Sequence, residues 1–329
     1  MSTIKLNMNE MPFPPSDKVI KEAKKGLAKL NRYSDPKDLD ALQGAIAKYC
    51  NVSKRHIVLS NGSDSLLREI IHSFSNHRKV IMVYPSFLPI AKCAKESAKK
   101  LLRIQLSPPS FRLNPKIIYN EIQDHTLIII DNPNNPTGKA LINRDLTKNI
   151  LENKNTLLVV DEAYFEFSGI TMADLVEQYP NLAITRTLDK AFGLAGARIG
   201  YLIAGDIFLD KLSSSYSFLP QASLNCALKV IENPGESKQK IKYIIKEKNR
   251  IQEALDKIGL QVFSSKTNFL LIKSNIVELT KKLEDRNILV FDLSKHWIPG
   301  YIRVTIGTQE ENDIFLSNIK CILQKHKES

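Results

Sequence analysis

Two cations, Lys190 and Arg198, stand in a stretch of sequence, 185–201, that is made largely of small and apolar residues. A charge is costly to bury among Ala, Gly, Leu and Phe unless an anionic partner accompanies it. A buried lysine could supply the amine for a Schiff base, and a buried arginine could hold a phosphate. Surface exposure is the alternative for each residue.

Two further stretches place polar residues directly after apolar runs. The stretch 60–65, S-N-G-S-D-S, precedes a helical pattern whose first backbone N–H groups could bind phosphate. Ser63 or Asp64 could instead be an ordinary helix cap. The stretch 131–138, D-N-P-N-N-P-T-G, contains two prolines and a final glycine, which fix a rigid loop that carries amide side chains.

A carboxylate and a phenol, those of Asp161 and Tyr164, follow the next apolar run. The alternative role for the aspartate is an ordinary cap for the following turn. Taken together, these stretches supply an amine, a cation, a carboxylate, an amide and a phenol. Pyridoxal phosphate (PLP) needs that set of groups around it. The combination therefore predicts a PLP site and is far more specific than any single stretch.

The residues that could do this chemistry are separated by short runs rich in Ile, Val and Leu. These runs alternate with helical patterns and lie at 56–60, 80–84, 126–130, 156–160, 182–185 and 199–203. Strands that are apolar on both faces and separated by helices predict an α/β domain with a mostly parallel sheet covered by helices. Ligands of such sheets gather beyond the carboxyl ends of the strands, where the polar stretches lie.

The pattern changes at Pro234 to a long charged amphipathic helix at 237–258. Three strand-like runs and a last helix follow, and the runs lie at 268–272, 288–291 and 301–306. This indicates a smaller α+β unit on which the first 30 or so residues pack. We predict a large domain at 33–234 and a small domain made of 1–32 and 235–329.

Composition and charge limit the classes of function. Four scattered cysteines with no metal-ligand spacing suggest neither a disulfide framework nor a metal site. The net charge of +12 could suit nucleic acid, but lysines at helical spacing, such as Lys92, Lys95, Lys99 and Lys100, are typical of a solvated helix face. Without a leader or a long apolar run, the sequence predicts a cytoplasmic protein that binds neither nucleic acid nor membrane.

Three motifs carry a resemblance to a known family. N-P-N-N-P-T-G at 132–138, D-E-A-Y at 161–164 and T-L-D-K-A-F-G-L-A-G-A-R at 187–198 resemble fold-type-I PLP-dependent aminotransferases (class I/II). The match is closest to the histidinol-phosphate aminotransferase type, which the opening L-N-M-N-E at 6–10 and Y-I-R-V-T-I-G-T at 301–308 also resemble. The resemblance extends over almost the whole chain.

The resemblance implies a role for individual residues. Lys190 would form the Schiff base and shuttle the substrate proton, while Asp161 would pair with the pyridine nitrogen. Asn135 and Tyr164 would bind the ring oxygen. The remaining implied cofactor residues are Phe87, stacked on the ring, and those near the phosphate: Ser63, Asp64, Thr187, Arg198 and, from the neighbouring subunit of a homodimer, Tyr33. Arg303 and Asn9 would bind the substrate.

The sequence departs from the family pattern at three positions. Asp189 replaces the usual Ser or Thr before the lysine, and because a carboxylate repels phosphate, we expect it to turn away or to pair with a cation. Phe291 replaces an arginine that helps to bind histidinol phosphate, and Lys295 or His296 could substitute for it. Phe13 stands where the family prefers a tyrosine.

The leading hypothesis is transfer of an amino group between a histidinol-phosphate-like amine and 2-oxoglutarate. The alternatives are an aminotransferase for another, aromatic-type amino acid and a PLP-dependent decarboxylase of a phosphorylated amino acid. A basic binding protein on a degenerate aminotransferase scaffold is a hypothesis of a different class. Uptake of the cofactor, with a visible absorption band that depends on Lys190, distinguishes an enzyme from that binding protein.

Overall fold

The computed structural model describes residues 3–122, 125–212 and 218–328. The strands are β1 (Ile4–Leu6), β2 (Ile57–Ser60), β3 (Lys79–Tyr84), β4 (Lys100–Gln105), β5 (Thr126–Asp131), β6 (Thr156–Asp161), β7 (Leu182–Thr187), β8 (Gly200–Ala204), β9 (Gln261–Phe263), β10 (Phe269–Lys273), β11 (Ile288–Asp292) and β12 (Tyr301–Thr305). The helices are α1 (Asp17–Leu27), α2 (Pro36–Cys50), α3 (Ser63–Phe74), α4 (Leu88–Ser97), α5 (Pro115–Glu121), α6 (Arg144–Leu151), α7 (Phe165–Ser168), α8 (Asp206–Leu212), α9 (Gln221–Glu232), α10 (Gly235–Lys257), α11 (Leu279–Glu284) and α12 (Gln309–Glu328).

The larger sheet has the strand order β2-β8-β7-β6-β5-β3-β4. Strands β3 to β7 run parallel, whereas β8 is antiparallel to both of its neighbours. Every residue of β5, β6 and β7 is buried, as expected for a parallel sheet with helices on both faces. The predicted α/β class, with a mostly parallel sheet covered by helices, is confirmed.

One edge strand differs from the sequence prediction. Lys99 and Lys100 were assigned to a helix face, but α4 ends at Ser97 and Lys100 begins β4. Most of β4 is exposed or half-buried, because it lies at the edge of the sheet and pairs only with β3. Its lysine, arginine and glutamine are typical of edge strands, which use charge to discourage further pairing.

The smaller sheet has the order β1-β11-β12-β10-β9 and combines both ends of the chain. β1 pairs in parallel with β11, so that Ile4 lies opposite Ile288. The first 30 residues do not all pack on this sheet, however, because α1 packs mainly against α9. Gly26 allows that close contact, since a Cβ there would lie 2.4 Å from the backbone of Ala222. The domain boundaries at 33 and 234 stay predictions.

Two kinds of feature are absent from the described ranges. No helix among residues 3–122, 125–212 and 218–328 combines the length and apolar character needed to cross a membrane. Within the same ranges, no group of three or more His, Cys, Asp or Glu side chains is placed to hold a metal ion.

Candidate active site

A cavity of about 300 Å³ lies where the carboxyl ends of the parallel strands meet the smaller sheet. It brings together all but one of the predicted site residues: Lys190, Asp161, Tyr164, Ser63, Asp64, Phe87, Asn135, Thr187, Arg198, Arg303 and Asn9. The exception is Tyr33, which is 80% exposed at the surface. The roles that the resemblance assigns to these residues stay predictions, but their placement makes one shared site possible.

One end of the cavity is built around the guanidinium of Arg198. Arg198 donates to Asp189 over 2.5 Å and forms a second ion pair with Asp64, at the start of α3. Of the two arrangements expected for Asp189, pairing with a cation is therefore the one observed. Gly62 has a φ of 92°, and a Cβ there would collide with the guanidinium, so the loop needs glycine at this position.

Two buried carboxylates, Asp131 and Asp161, lie opposite each other at the ends of β5 and β6, and Asp161 lines the cavity. Asp161 ends β6, and its Oδ1 accepts a hydrogen bond of 2.8 Å from Thr185. Burial raises the pKa of Asp161 to about 7, and the neighbouring carboxylate of Asp131 adds to the rise. Burial likewise raises the pKa of Asp131 to about 6. The lining at Asp161 therefore favours a cationic ligand group, which would offset the cost of a buried negative charge.

Asp131 also organises the loop that follows it. Its carboxylate accepts from Ser86 Oγ over 2.9 Å, from Asn134 Nδ2 over 3.2 Å and from the backbone N–H of Asn135 over 3.0 Å. These bonds join the loop after β5 to the loop after β3. The sequence analysis assigned no role to Asp131 or Ser86, although Asp131, like Asp161, directly follows an apolar run.

The roof of the cavity comes from the first residues of the chain. Asn9 donates from Nδ2 to the hydroxyl of Tyr164 over 2.7 Å, and its backbone N–H donates to Thr305 Oγ1 over 2.9 Å. Burial raises the pKa of Tyr164 to about 12, so the phenol stays protonated at neutral pH. The placement of Asn9 therefore links β12 to the phenol at the end of β6.

Lys190 lies in the loop after β7 and points its Nζ into the cavity, where it donates to the carbonyl of Met8 over 3.3 Å. Burial lowers the pKa of Lys190, and the carboxylate of Asp189 partly opposes this effect. A lysine with a lowered pKa is a better nucleophile and base at neutral pH than an exposed one. This side chain can therefore attack a carbonyl group or move a proton.

Arg303 is the buried cation on the side of the smaller sheet. It donates to Asn135 Oδ1 and to the carbonyl of Asn7, each over 2.6 Å, and its guanidinium lies 4.5 Å from the centre of the Phe291 ring. Burial lowers the pKa of Arg303 to about 10. Its buried Nε has no hydrogen-bond partner in the part of the chain that the structure describes. Arg303 could therefore hold an anionic substrate group.

The substitutes proposed for the missing arginine lie elsewhere. The side chain of Lys295 is 75% exposed and stands 3.9 Å from Asp292, while His296 lies beside the Phe291 ring and is also exposed. Neither lines the cavity, so the hypothesis that one of them replaces the arginine is wrong. The 293–300 turn directs them to solvent and turns Trp297 inwards instead, a residue that the sequence analysis missed.

The chain is similar to known proteins over almost its whole length. Residues 2–319 match the family model of aminotransferase class I and II. A histidinol-phosphate aminotransferase of Sulfurisphaera tokodaii is 33% identical over 328 residues, covering 98% of this chain and 90% of that protein. Histidinol-phosphate aminotransferase from Sinorhizobium meliloti, solved in complex with pyridoxal-5′-phosphate, matches with a TM-score of 0.87 at 20% identity, covering 98% and 92% of the two chains.

A fourth comparison concerns one of the alternative functions. L-threonine-O-3-phosphate decarboxylase from Porphyromonas gingivalis matches with a TM-score of 0.82 at 21% identity, covering 98% of this chain and 99% of that one. At such identities the two solved structures show a shared fold, whereas the family model and the 33% identical relative show membership. The chain belongs to the aminotransferase class I and II family of PLP-dependent enzymes, which confirms the resemblance carried by its motifs.

Proposed function

We propose that this aminotransferase moves an amino group from a histidinol-phosphate-like amine to 2-oxoglutarate. The observation that carries the proposal is the meeting of an amine, an acid and a guanidinium, those of Lys190, Asp161 and Arg198, in one cavity. The name of the Sulfurisphaera relative supports the choice of donor. It also supports a place in histidine biosynthesis, and the proposal includes a location in the cytoplasm.

The cavity fits PLP by the chemistry of its donor set. Among the described residues, no lysine or arginine forms an ion pair with the buried carboxylate of Asp161, and a protonated ring nitrogen would supply that missing charge. Arg198 and the start of α3 would hold the phosphate, while Asn135 and Tyr164 would hold the ring oxygen. When bound, the cofactor acts as an electron sink for the substrate carbanion.

The protein contributes binding, orientation and proton transfer. Lys190 Nζ holds the cofactor and then takes the proton from the substrate Cα, a task for which its lowered pKa suits it. Arg303, which lines the cavity, binds the acidic group of the donor and then that of 2-oxoglutarate. The phenol of Tyr164, held by Asn9, stays protonated and donates to the ring oxygen.

One observation favours a second candidate, an aromatic-type aminotransferase. Because Phe291 stands where an arginine was expected, Arg303 is the cation left on the substrate side of the cavity lining. One guanidinium suits a carboxylate with a single negative charge better than a phosphate dianion.

A panel of histidinol phosphate, aromatic amino acids and phosphorylated amino acids, each with 2-oxoglutarate, decides between the candidates. Release of CO2 from a phosphorylated amino acid would instead identify a decarboxylase.

The expected result is formation of glutamate from histidinol phosphate at a higher kcat/KM than from any aromatic amino acid. Turnover of aromatic amino acids without turnover of histidinol phosphate would reject the proposed donor and support the second candidate. A protein that takes up PLP but transfers no amino group, or a colourless protein that does not take it up, would contradict the proposed activity itself.

We expect Arg198→Gln to weaken the binding of PLP by about 10- to 100-fold, because a hydrogen bond to a charged group is worth roughly 1.5–3 kcal/mol. The substitution also leaves Asp64 and Asp189 without their cation, close to the phosphate. Fluorescence titration of the cofactor-free protein measures the affinity. Arg144→Gln is the control, since Arg144 forms an exposed pair with Asp174 and should leave the affinity unchanged.

We also propose a homodimer in which Tyr33 completes the partner's site. Tyr33 and Phe218 are 80% and 64% exposed, and their rings lie 4.6 Å apart. Such an aromatic pair at the surface is typical of an interface. We expect sedimentation to give a dimer and Tyr33→Ala to weaken PLP binding, whereas Tyr119→Ala, at another exposed tyrosine, changes neither. A monomer that binds PLP fully would contradict this proposal.

A further inference from the structure

The cavity has one wall that contains none of the predicted cofactor residues. This wall, here called the ring wall, consists of Phe291 at the end of β11, and Leu293 and Trp297 in the turn that follows. The predicted cofactor residues that line the cavity all lie between residues 63 and 198. The ring wall is therefore placed to meet the substrate rather than the cofactor.

Hydrogen bonds in the turn fix the direction of the ring wall. The N–H of Trp297 donates to the carbonyl of Leu293 over 2.8 Å, and the N–H of Leu293 donates to the carbonyl of Tyr301 over 3.0 Å. A single helical turn of this kind brings residues four apart to the same side. Leu293 and Trp297 consequently both face the cavity, while the side chain of Lys295 faces solvent.

Packing holds the indole of Trp297 in place. Its ring meets the ring of Tyr84 edge to face, with centres 5.0 Å apart and an angle of 86°. Tyr84 ends β3, and the chain then leads to Phe87, which lines the cavity at the start of α4. Trp297 is half-buried, so one part of the ring is fixed by the larger sheet and another borders the cavity.

The ring wall consists of apolar side chains, and one of them, Phe291, is contacted by the guanidinium of Arg303. The other cations in the cavity lining, Lys190 and Arg198, are directed elsewhere. Arg198 is held by two carboxylates, and Arg303 donates to Asn135 and Asn7 while it lies over Phe291. A flat, uncharged ring fits the wall, since aromatic pairs gain from offset or edge contacts in addition to burial.

We propose that Trp297 is a specificity-determining residue that receives the flat, uncharged ring of the amino donor's side chain. The inference rests on the proposed function and deepens it, because imidazole and phenyl rings both satisfy the requirement. Donors with a short side chain gain nothing from the ring wall. Trp297 therefore affects the choice among donors and leaves the proton transfer at Lys190 unchanged.

The first test compares kcat/KM for histidinol phosphate, phenylalanine and alanine. We expect Trp297→Ala to lower kcat/KM about 10- to 100-fold for the two ring-bearing donors, the range expected when a buried ring loses its contacts, and less than about threefold for alanine. Trp297→Phe should restore most of the loss. Lys295→Ala, in the same turn but directed to solvent, is the control and should behave like the wild type.

The second test does not depend on turnover. Trp297 is the single tryptophan of the chain, so its fluorescence reports on the ring wall alone. In the holoenzyme we expect 3-phenylpropionate, which has no amino group to react, to change the emission saturably. Glutarate should change it far less.

Equal changes with both compounds, or an equal loss of kcat/KM for all three donors in Trp297→Ala, would overturn the proposal. A fluorescence response without any amino transfer would reject the proposed function and leave the ring wall supported.

Discussion

Replacing Lys190 by alanine is expected to abolish amino transfer and to remove the visible absorption band of the bound cofactor. A positioned acid or base contributes roughly 10²- to 10⁴-fold to a rate, and in the proposed function Lys190 serves both as the base and as the anchor of the cofactor. We therefore expect kcat to fall by at least about 1000-fold. Single-turnover kinetics together with absorption spectra of the purified variant measure both effects.

Lys248 provides a matched control for that substitution. It is also buried and burial lowers its pKa to about 8, but it lies outside the cavity and donates to the carbonyls of Ser265 and Thr267. Lys248→Ala should lower thermal stability and leave the absorption band intact, because it removes structural hydrogen bonds only. A Lys190→Ala variant that kept the band and transferred amino groups would refute the assignment of the lysine.

Replacing Asp161 by asparagine is expected to lower activity and, in the cofactor-free protein, to raise stability. The carboxyl has a pKa of about 7 in the folded chain against 3.8 for an ordinary aspartate. The folded protein thus retains a proton that the unfolded chain releases near pH 4, so the contribution of Asp161 to stability is present below pH 4 and lost as pH rises through about 7. This loss is on the order of 4 kcal/mol at pH 8.

Asparagine has nearly the same shape and no charge, so the variant should lose most of this dependence on pH. Its activity should fall about 100-fold or more, since an amide cannot keep the ring nitrogen protonated. Denaturant unfolding of the cofactor-free protein at pH 5 and pH 8 measures the stability. Asp174→Asn, in an exposed pair with Arg144, should change stability by no more than about 1 kcal/mol. Equal pH dependence in Asp161→Asn and the wild type would contradict the argument.

Much of the larger sheet could be predicted from the sequence because strands buried on both faces leave a plain apolar signature. The run at 156–160 became β6, and the polar residue that follows it, Asp161, lies in the cavity as the strand-end rule requires. The long helix expected at 237–258 appears as α10, Gly235–Lys257. Such elements are specified locally, so a single sequence suffices to locate them.

The parts that escaped prediction depend on contacts between distant segments. Trp297 enters the cavity because a short turn and the ring of Tyr84 direct it there, and neither leaves a periodic pattern in the sequence. The hydrogen bonds of Asp131 to Ser86 and Asn134 join two loops from different strands, and no spacing in the sequence indicates them. The edge strand β4 was not predicted, because its lysine-containing sequence fits an exposed helix equally well.

The pairing of β1 with β11 has a consequence for how the protein is made on the ribosome. Residues 4–6 are translated long before their partners at 288–290, since synthesis proceeds at about 5–20 residues per second. Until then Asn9 lacks Thr305, and the amine of Lys190 stays uncovered. We therefore expect capture of the vitamin-derived coenzyme only after both of these segments have left the ribosome.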